Sequence, residues 1–474
     1  MKRIVSFLLF FLSAIPVGNA TSYNDIWNLL KERNNRIRNY PIVIEKLVDE
    51  GLYFTSIPFI KEYLYKSSRP TAKLDKTIDE VISKVGIRQF ELLPISTLKK
   101  SRGSTLKYVL AKRYFRKKRY LEVISLVNSI KDIQHPVAPF ATLLKASTFS
   151  IQGKTVQALN AFRSCEKISS NFINKESDLD RLRQLEMTRD YCLLGVARDK
   201  FRHKEYETAL SVFLDLSKDS PIWPEILFEE AWNSFYLRDY NRTLGKLVTY
   251  KAPLLNFAFN PENEVLKALT YLEMCLYSDS RLIIDQFYRT YESDNLSLGK
   301  ILNKNKKNFK FYYLISKQRQ FGEVRGPALF NRLLKMIIND PAYLEMYNSF
   351  QNARFELQKL KRIKNKTLKN VLLDVVKSGL ILQRDLIGSY VRKILKEYYY
   401  QMRKSFSDLS YINLEVLSRR KVKLVGPGSY DFRSRGDVRN LKRTQKQYFW
   451  SFEGEFWLDE LGDYVFSLKS ECNK

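Results

Sequence analysis

The stretch GVARDKFRHKEYETALSVFLDLSKDSP, residues 195–221, contains the spacing that decides the fold. Ala197 lies on a predicted first helix, and Tyr206 follows nine residues later at a predicted turn. Ala209 and Phe213 come next, one turn apart on a predicted second helix. Small side chains at Ala197 and Ala209 let the two helices approach closely, and the aromatic ring closes the turn. The stretch therefore predicts a helix–turn–helix unit.

The same spacing occurs five times in the middle of the chain, which indicates an internal repeat. The first-helix positions are separated by 35, 51, 34 and 37 residues. The longest gap contains SSNFINKESDLDRLRQLE, a predicted longer loop or helix extension, and residues 45–64, with Gly51 and Tyr53, show a similar turn. The first-helix residues are Ala111, Ala146, Ala197, Ala231 and Ala268; nine positions later come Tyr120, Thr155, Tyr206, Tyr240 and Tyr277; twelve positions later come Val123, Ala158, Ala209, Thr243 and Ser280.

This pattern resembles the tetratricopeptide repeat (TPR), a helix–turn–helix of about 34 residues with small residues at two fixed positions. Residues 190–221 match best, and the other four units depart further from the family pattern. The resemblance implies an α-solenoid, in which each unit hides its apolar face only by stacking on its neighbours. It also implies binding of proteins or peptides rather than catalysis. An unrelated helical array is the alternative.

The segment that follows is predicted to form long helices, since glycine and proline are scarce, at 17 and 14 residues in the chain. Two runs of heptad-like spacing flank the polar stretch RIKNKTLKN, residues 362–370. They predict two long helices in an antiparallel hairpin, with ordinary helices on the solenoid or a self-associating coiled coil as alternatives. The apolar positions are Tyr343, Met346, Phe350, Ala353, Leu357 and Leu360, then Val391, Leu395, Tyr398, Met402, Leu409, Ile412 and Val416.

The chain then changes charge abruptly. Residues 419–446 carry a net charge of +8, whereas YFWSFEGEFWLDELGDYVFSL, residues 448–468, has five carboxylates and no Lys or Arg. Opposite charges so close in sequence predict ion pairs between the two stretches, and the aromatic rings are predicted to bury against helices. Residues 449–457 and 464–468 predict a small β-hairpin tip, which would act as a structural lid or as a docking surface.

The pattern F-x-G-E-F-W-x-D-E-L-G-x-Y within this stretch is similar to the ending of exported TPR proteins of myxobacteria and predatory relatives. That group includes the periplasmic TPR component of the gliding-motility envelope machinery. The similarity implies a scaffold in a multiprotein assembly near the outer membrane and implies no catalytic residues. Its signature positions are Gly454, Glu455, Trp457, Asp459, Glu460, Leu461, Gly462 and Tyr464.

The first 20 residues, MKRIVSFLLFFLSAIPVGNA, read as a secretory signal peptide with cleavage near Ala20. Their apolar run, Ile4 to Ile15, is too short to span a bilayer comfortably, which disfavours the alternative of a membrane anchor. No later stretch is long and apolar enough to span. The sequence therefore predicts an exported, periplasmic protein without a transmembrane span in its mature form.

The formal net charge is +30, from 81 Lys and Arg against 51 Asp and Glu. Such a charge attracts nucleic acid, anionic membrane faces or acidic polymers and proteins. Export disfavours nucleic acid, which leaves other envelope proteins, an anionic wall polymer or the inner face of the outer membrane as predicted partners. A charged surface that only keeps the protein soluble is the alternative.

The four cysteines permit disulfides in an exported protein. Cys165 ends one repeat and Cys192 begins the next, so these two thiols could pair. Their spacing, with Cys275 and Cys472, matches no metal site, and buried free thiols are the alternative.

Signals for chemistry are weak. His135 and His203 are the two histidines of the chain, and both are predicted to lie on the surface. The QGKT at 152–155 lacks the first glycine of a phosphate-binding loop, and a repeat turn explains its glycine better. A cell-wall hydrolase or a calcium site would need the tip carboxylates to converge, so no catalytic, cofactor-binding or metal-binding residue is predicted. These carboxylates are Glu453, Glu455, Asp459, Glu460 and Asp463.

Together these features predict an all-α protein: a TPR-like α-solenoid, a long helical hairpin and a small β-hairpin tip. The predicted function is a non-enzymatic periplasmic scaffold for other envelope proteins, with a basic binder of wall or lipid anions as the alternative. The predicted divisions are a signal peptide (1–20), an N-terminal helical region with one degenerate repeat (21–103), the solenoid (104–295), a connector (296–340), the long helical hairpin (341–424) and a basic loop with the tip (425–474).

Overall fold

A computed structural model describes residues 20–32, 34–67, 70–423 and 438–472. These residues are predominantly helical, which confirms the all-α prediction. Most of the predicted signal peptide and of the predicted basic loop, residues 1–19 and 424–437, lies outside the described residues. The described residues divide into two compact units: unit 1 comprises those up to residue 103 and 349–381, and unit 2 comprises 104–348 and those from 382 to 472.

The described residues form helices throughout, with little extended structure. The first helices are α1 (Ala20–Lys31), α2 (Arg36–Asp49), α3 (Tyr53–Lys66), α4 (Ala72–Val85), α5 (Ile95–Leu98), α6 (Ser104–Arg116), α7 (Tyr120–Asn128), α8 (Ala138–Ile151), α9 (Thr155–Ile173), α10 (Leu179–Arg202), α11 (Tyr206–Phe213), α12 (Trp223–Tyr236) and α13 (Tyr240–Thr249). The rest are α14 (Glu262–Glu273), α15 (Tyr277–Lys304), α16 (Phe309–Arg319), α17 (Ala328–Asn339), α18 (Pro341–Leu360) and α19 (Lys366–Lys423). Two-residue strands, β1 (Trp450–Ser451) and β2 (Tyr464–Val465), and 3₁₀ turns at Pro253–Leu255 and Val438–Asn440 complete the described elements.

In unit 2, helices α6 to α15 pack in chain order, each against the next. They form five pairs, and each pair carries one of the five predicted repeat spacings. Every second helix begins nine residues after the first-helix alanine. The five alanines are fully buried, at 0% exposure, because they lie where the helices approach most closely. They are Ala111, Ala146, Ala197, Ala231 and Ala268.

One turn geometry joins the two helices of every pair. The residue seven positions after each alanine has a left-handed backbone, with φ between 58° and 71°. The next residue donates its N–H to the carbonyl five positions back, as Glu205 does to Lys200 at 3.0 Å. The hydrogen bonds at this helix end satisfy carbonyls that would otherwise lack donors. The left-handed residues are Lys118, Gly153, Lys204, Arg238 and Cys275.

Unit 1 contains the same turn between α2 and α3. Gly51 has φ of 69°, Leu52 donates to Leu47 at 2.8 Å, and α3 begins at Tyr53. Ile44 takes the position of the repeat alanine and is fully buried. The similar turn predicted at Gly51 is therefore present in the backbone.

Unit 1 also contains a buried carboxylate that caps a helix. The side chain of Glu356, on α18, accepts hydrogen bonds from the N–H groups of Phe54 and Thr55 and from the Thr55 hydroxyl, each at 2.7 Å. These donors lie in the first turn of α3, which has no side-chain cap of its own. Burial raises the pKa of Glu356 to about 7, although the three hydrogen bonds favour the ionised form.

The long helices differ from prediction in three respects. Helix α19 begins at Lys366, inside the predicted polar connector, and runs for 58 residues. Phe350 and Leu357 are only half-buried, whereas Ser349 and Glu356 are buried, because α18 buries a stripe shifted by one position there. The other predicted seam positions are buried except Tyr398, which is half-buried.

The predicted β-hairpin is wrong. Strands β1 and β2 pair in parallel, Trp450 with Tyr464 and Ser451 with Val465, whereas the strands of a hairpin are antiparallel. The residues between them, 452–463, form a loop and turns that reverse the chain twice.

Helices long and apolar enough to cross a membrane are absent from the part of the chain that the structure describes.

We expect Lys204→Gly to raise the free energy of unfolding by about 0.5–1 kcal/mol, because glycine adopts a left-handed backbone without the strain of a side chain. Lys167→Gly, in the middle of α9, is the matched control and should lower it by about 1 kcal/mol. Urea denaturation of the two variants measures both effects. Equal losses would show that the turn at Lys204 is not left-handed.

We expect the free energy of unfolding to fall as the pH rises through the range in which Glu356 titrates. The folded pKa of about 7 lies above the ordinary value of 4.5, so the folded state keeps a proton that the unfolded state has lost. The stabilising effect is complete below pH 4.5, declines by about 1.4 kcal/mol per pH unit, and is lost above pH 7. Urea denaturation at several pH values between 4.5 and 7 measures this dependence, and Glu356→Gln should flatten it. Asp374 is an exposed carboxylate of unit 1, so the control Asp374→Asn should leave the pH dependence unchanged. An unchanged slope in Glu356→Gln would contradict the assignment.

Candidate interaction surface

The repeat residues identified from the sequence build the packing between helices. Ala158, Ala209 and Phe213 are at most 1% exposed, like the first-helix alanines. Tyr120, Tyr206, Tyr240 and Tyr277 each begin a second helix. These residues hold the helices of the repeats together.

The turn tyrosines pack on an aromatic ring at the end of the first helix in three of the five pairs. Phe201 and Tyr206 have ring centroids 5.4 Å apart in an edge-to-face arrangement. The equivalent pairs are Phe115 with Tyr120, at 5.9 Å, and Phe235 with Tyr240, at 5.5 Å. This contact explains why an aromatic residue follows the left-handed turn.

Six rings form a continuous group, the aromatic row, across the ends of α10 and α12: Phe201, Tyr206, Trp232, Phe235, Tyr236 and Tyr240. Tyr206 stacks on Tyr236 of the next pair, with centroids 5.3 Å apart and planes 13° apart. Asn233 fixes the join by donating to the Tyr206 carbonyl at 2.9 Å. Tyr236 is 49% exposed and the others are half-buried, so the row presents rigid aromatic area to solvent.

Two cations near the row, Arg198 and Lys200, are already paired within the protein. Arg198 donates to both oxygens of Glu229 and to Glu225 of α12. Lys200 pairs with Glu205 at 2.7 Å. Changing Arg198 would therefore break this internal network as well as alter the surface charge.

Residues 438–472, the C-terminal segment, cover one face of the α12–α13 pair. Leu461 and Tyr464 are buried in a cluster with Trp223, Leu227 and Tyr250. Half-buried Phe452, Phe456 and Phe466 pack against the same cluster. Tyr464 and these three phenylalanines therefore pack against helices, as the sequence predicts, whereas Tyr448, Trp450 and Trp457 are exposed.

Backbone contacts join the segment to α13. A Cβ on Gly245 would overlap the carbonyl oxygen of Tyr464, so only glycine allows this approach. The Asn241 side chain bonds both the N–H and the carbonyl of Leu468, each at 3.0 Å. The Asn241 carbonyl accepts from the N–H of Phe466 at 3.0 Å. The backbone of the C-terminal segment is thus hydrogen-bonded directly to α13.

Ion pairs at this contact differ from those expected. Asp463 pairs with Lys218, and Lys446 pairs with Asp215, so both bonds join the C-terminal segment to the loop after α11. Beneath the segment, Lys246 forms a buried ion pair with Glu230 and also donates to the Gly462 carbonyl. The described contacts therefore connect residues distant in sequence instead of the neighbouring basic and acidic stretches.

The signature positions of the tip separate into two groups. Leu461, Gly462 and Tyr464 are buried, and Glu460 is half-buried. Gly454, Glu455, Trp457 and Asp459 are exposed, and Leu458 between them is 72% exposed. The exposed group lies on residues 453–459, the tip loop.

The tip loop does not enclose its carboxylates. Glu453 and Glu455 are exposed to solvent, and Asp463 is held by Lys218. No group of three or more His, Cys, Asp or Glu side chains suited to a metal occurs in the described ranges. The Gly153 of QGKT is a left-handed repeat turn, which explains that glycine structurally.

Two disulfides link elements of unit 2. Cys165 of α9 bonds Cys192 of α10, the pair considered from the sequence. Cys275, a left-handed turn residue, bonds Cys472 of the C-terminal segment. Sequence reasoning missed the second bond, together with Asn241, Gly245 and Lys246, because nothing in the local pattern of α13 indicates a distant strand. The two cysteines that remain once Cys165 and Cys192 are paired were the available sequence signal for this second disulfide.

No protein-family model matches this chain, and no curated protein matches it.

We expect Gly245→Ala to displace the C-terminal segment from α13, because the added methyl group overlaps the Tyr464 carbonyl. Overpacking of this kind costs about 1–3 kcal/mol. Amide hydrogen exchange should show faster exchange at Phe466 and Leu468, with the Cys275–Cys472 bond intact. Gly322→Ala, where a Cβ has open space, is the control and should leave exchange unchanged. Unchanged protection in Gly245→Ala would contradict the close approach.

Proposed function

We propose that this chain is a non-enzymatic scaffold whose TPR-like repeats stack as an α-solenoid and bind other proteins. The observation that carries the proposal is the turn that recurs in five consecutive helix pairs, with the aromatic row across two of them. Repeated pairs give an extended surface, and rigid, half-exposed aromatic rings are typical of the centres of protein interfaces. The aromatic row is the proposed contact surface.

An exported, periplasmic location fits the two disulfides, since such bonds persist in oxidising compartments. The predicted signal peptide supports the same location. The partners proposed are other envelope proteins, and the resemblance of the tip to exported TPR proteins suggests an envelope or motility assembly. The exposed tip loop, with Trp457 and Leu458, is a second surface for such contacts.

The competing proposal is a basic protein that binds anionic wall or lipid polymers through charge. The net charge of +30 favours it, because long-range attraction to polyanions needs no shaped site. Attraction of this kind weakens steeply with salt, whereas desolvated aromatic contacts do not. Salt dependence therefore separates the two proposals.

Affinity capture from cross-linked cell envelopes, washed at low and at high salt, tests the scaffold proposal. We expect a defined set of proteins to survive the high-salt wash with the unchanged chain. Trp232→Ala with Tyr236→Ala should lose that set, because truncating buried aromatic contacts at an interface typically costs about 2 kcal/mol or more each.

Tyr411→Ala provides the control, since this tyrosine is 69% exposed but lies outside the aromatic row. It should retain the captured proteins. Capture of wall fragments or lipid alone, lost at high salt, would reject the scaffold in favour of the charge-driven binder. Equal capture by the row variant and the control would reject the aromatic row as the contact surface.

A further inference from the structure

A polar cavity of about 440 Å³ opens between the end of α16, the start of α17 and Asn256. Its size lies within the range of about 300–1,000 Å³ found for small-molecule sites. Three cations line it, Arg319, Arg332 and Lys335, against one carboxylate, Glu323. The lining therefore has a local charge of +2, and it includes no residue of the aromatic row or of the C-terminal segment.

The three cations have neutral partners. Arg319 donates to the carbonyls of Asn331 and Gly322, at 3.2 and 3.3 Å. Lys335 donates to the Asn256 side-chain oxygen at 3.2 Å. None of the three cations forms an ion pair with a carboxylate of the described chain, in contrast to Arg198 and Lys246. The lining thus keeps a net positive charge, and none of its cations is directly paired with a described carboxylate.

Arg332 is held in position by three contacts. It donates to the Ala258 carbonyl at 3.1 Å and to the Tyr291 hydroxyl at 3.4 Å. Its guanidinium lies over the Phe259 ring, 4.7 Å from the centroid. These contacts fix the guanidinium group in position, and none of its three partners is an anion.

The wall of the cavity is also ordered by buried hydrogen bonds. The Asn331 side chain, 7% exposed, bonds both the N–H and the carbonyl of Val324 at 2.8 Å. Asp294 caps the start of α17 by accepting from the Leu329 N–H at 2.9 Å. The loop between α16 and α17 is therefore attached to the helix that carries Arg332 and Lys335.

We propose that this cavity binds the terminal phosphate of a phosphomonoester. A phosphate monoester carries about −1.5 to −2 at pH 7, which matches the local charge of the lining. Guanidinium groups donate two parallel hydrogen bonds to phosphate oxygens, and an ammonium adds a further donor. The volume leaves room for a small group beyond the phosphate, such as glycerol. The phosphate can belong to a soluble molecule or to a lipid headgroup.

Titration calorimetry with glycerol 3-phosphate at constant ionic strength tests the soluble form. We expect saturable binding of one molecule per chain. Arg319→Gln with Lys335→Gln should weaken it at least tenfold, because each substitution removes a charge-assisted hydrogen bond to the phosphate. Glu323→Gln should strengthen it by removing a repulsive charge. Arg332 is left unchanged because its ring and carbonyl contacts support the fold.

Lys306→Gln with Lys307→Gln is the matched control, since both side chains are exposed and the substitution lowers the charge equally. It should leave the dissociation constant within about twofold. Circular dichroism melting confirms that each variant folds. Vesicles containing phosphatidic acid, compared with glycerol 3-phosphate, identify the source: dependence on Arg319 and Lys335 in vesicles alone assigns a lipid headgroup. Absence of saturable binding to both probes, or an equal loss in the lysine control, would overturn the proposal.

Discussion

The repeated left-handed turn is the constraint on which the helix pairs of unit 2 depend. Five times, one residue with positive φ ends a helix, and the next residue directs the chain back along it. Because this turn has a single geometry, the alanine before it always reaches the same depth in the packing. Helices of different length, from the 24 residues of α10 to the 8 of α11, can then be joined without changing the local contact.

The C-terminal segment decides which surfaces remain for other molecules. It occupies the face of α12–α13 around Trp223 and Tyr250, and it binds through backbone groups of α13 that a side chain at Gly245 would block. The aromatic row lies at the helix ends and stays partly exposed, and the exposed tip loop projects from the segment itself. The buried half of the segment therefore covers α12 and α13, while the tip loop is exposed to solvent. The predicted roles of structural lid and docking surface do not exclude each other.

Local spacing was sufficient to predict the helix pairs, since Ala197, Tyr206 and Ala209 act within one unit and recur at fixed spacings along the chain. The C-terminal segment was only partly predictable. The number of its rings indicated that some of them are buried, but the parallel pairing of β1 with β2 depends on α13, about two hundred residues away. The cavity cations were also missed, because Arg319 and Lys335 look like ordinary surface charges in a basic sequence until their neutral partners are known. The burial of Glu356 was missed for a similar reason, because its partners, Phe54 and Thr55, lie far from it in sequence, in another part of unit 1.

The distance in sequence between α13 and the segment that covers it imposes an order on biosynthesis. The ribosome completes Trp223, Leu227 and Tyr250 long before it reaches Leu461 and Tyr464, so the nascent chain carries an uncovered aromatic face during the interval. Such uncovered faces promote aggregation until the covering segment is in place. The bond from Cys275 to Cys472 then closes last, and its formation marks a molecule whose synthesis has passed the covering segment.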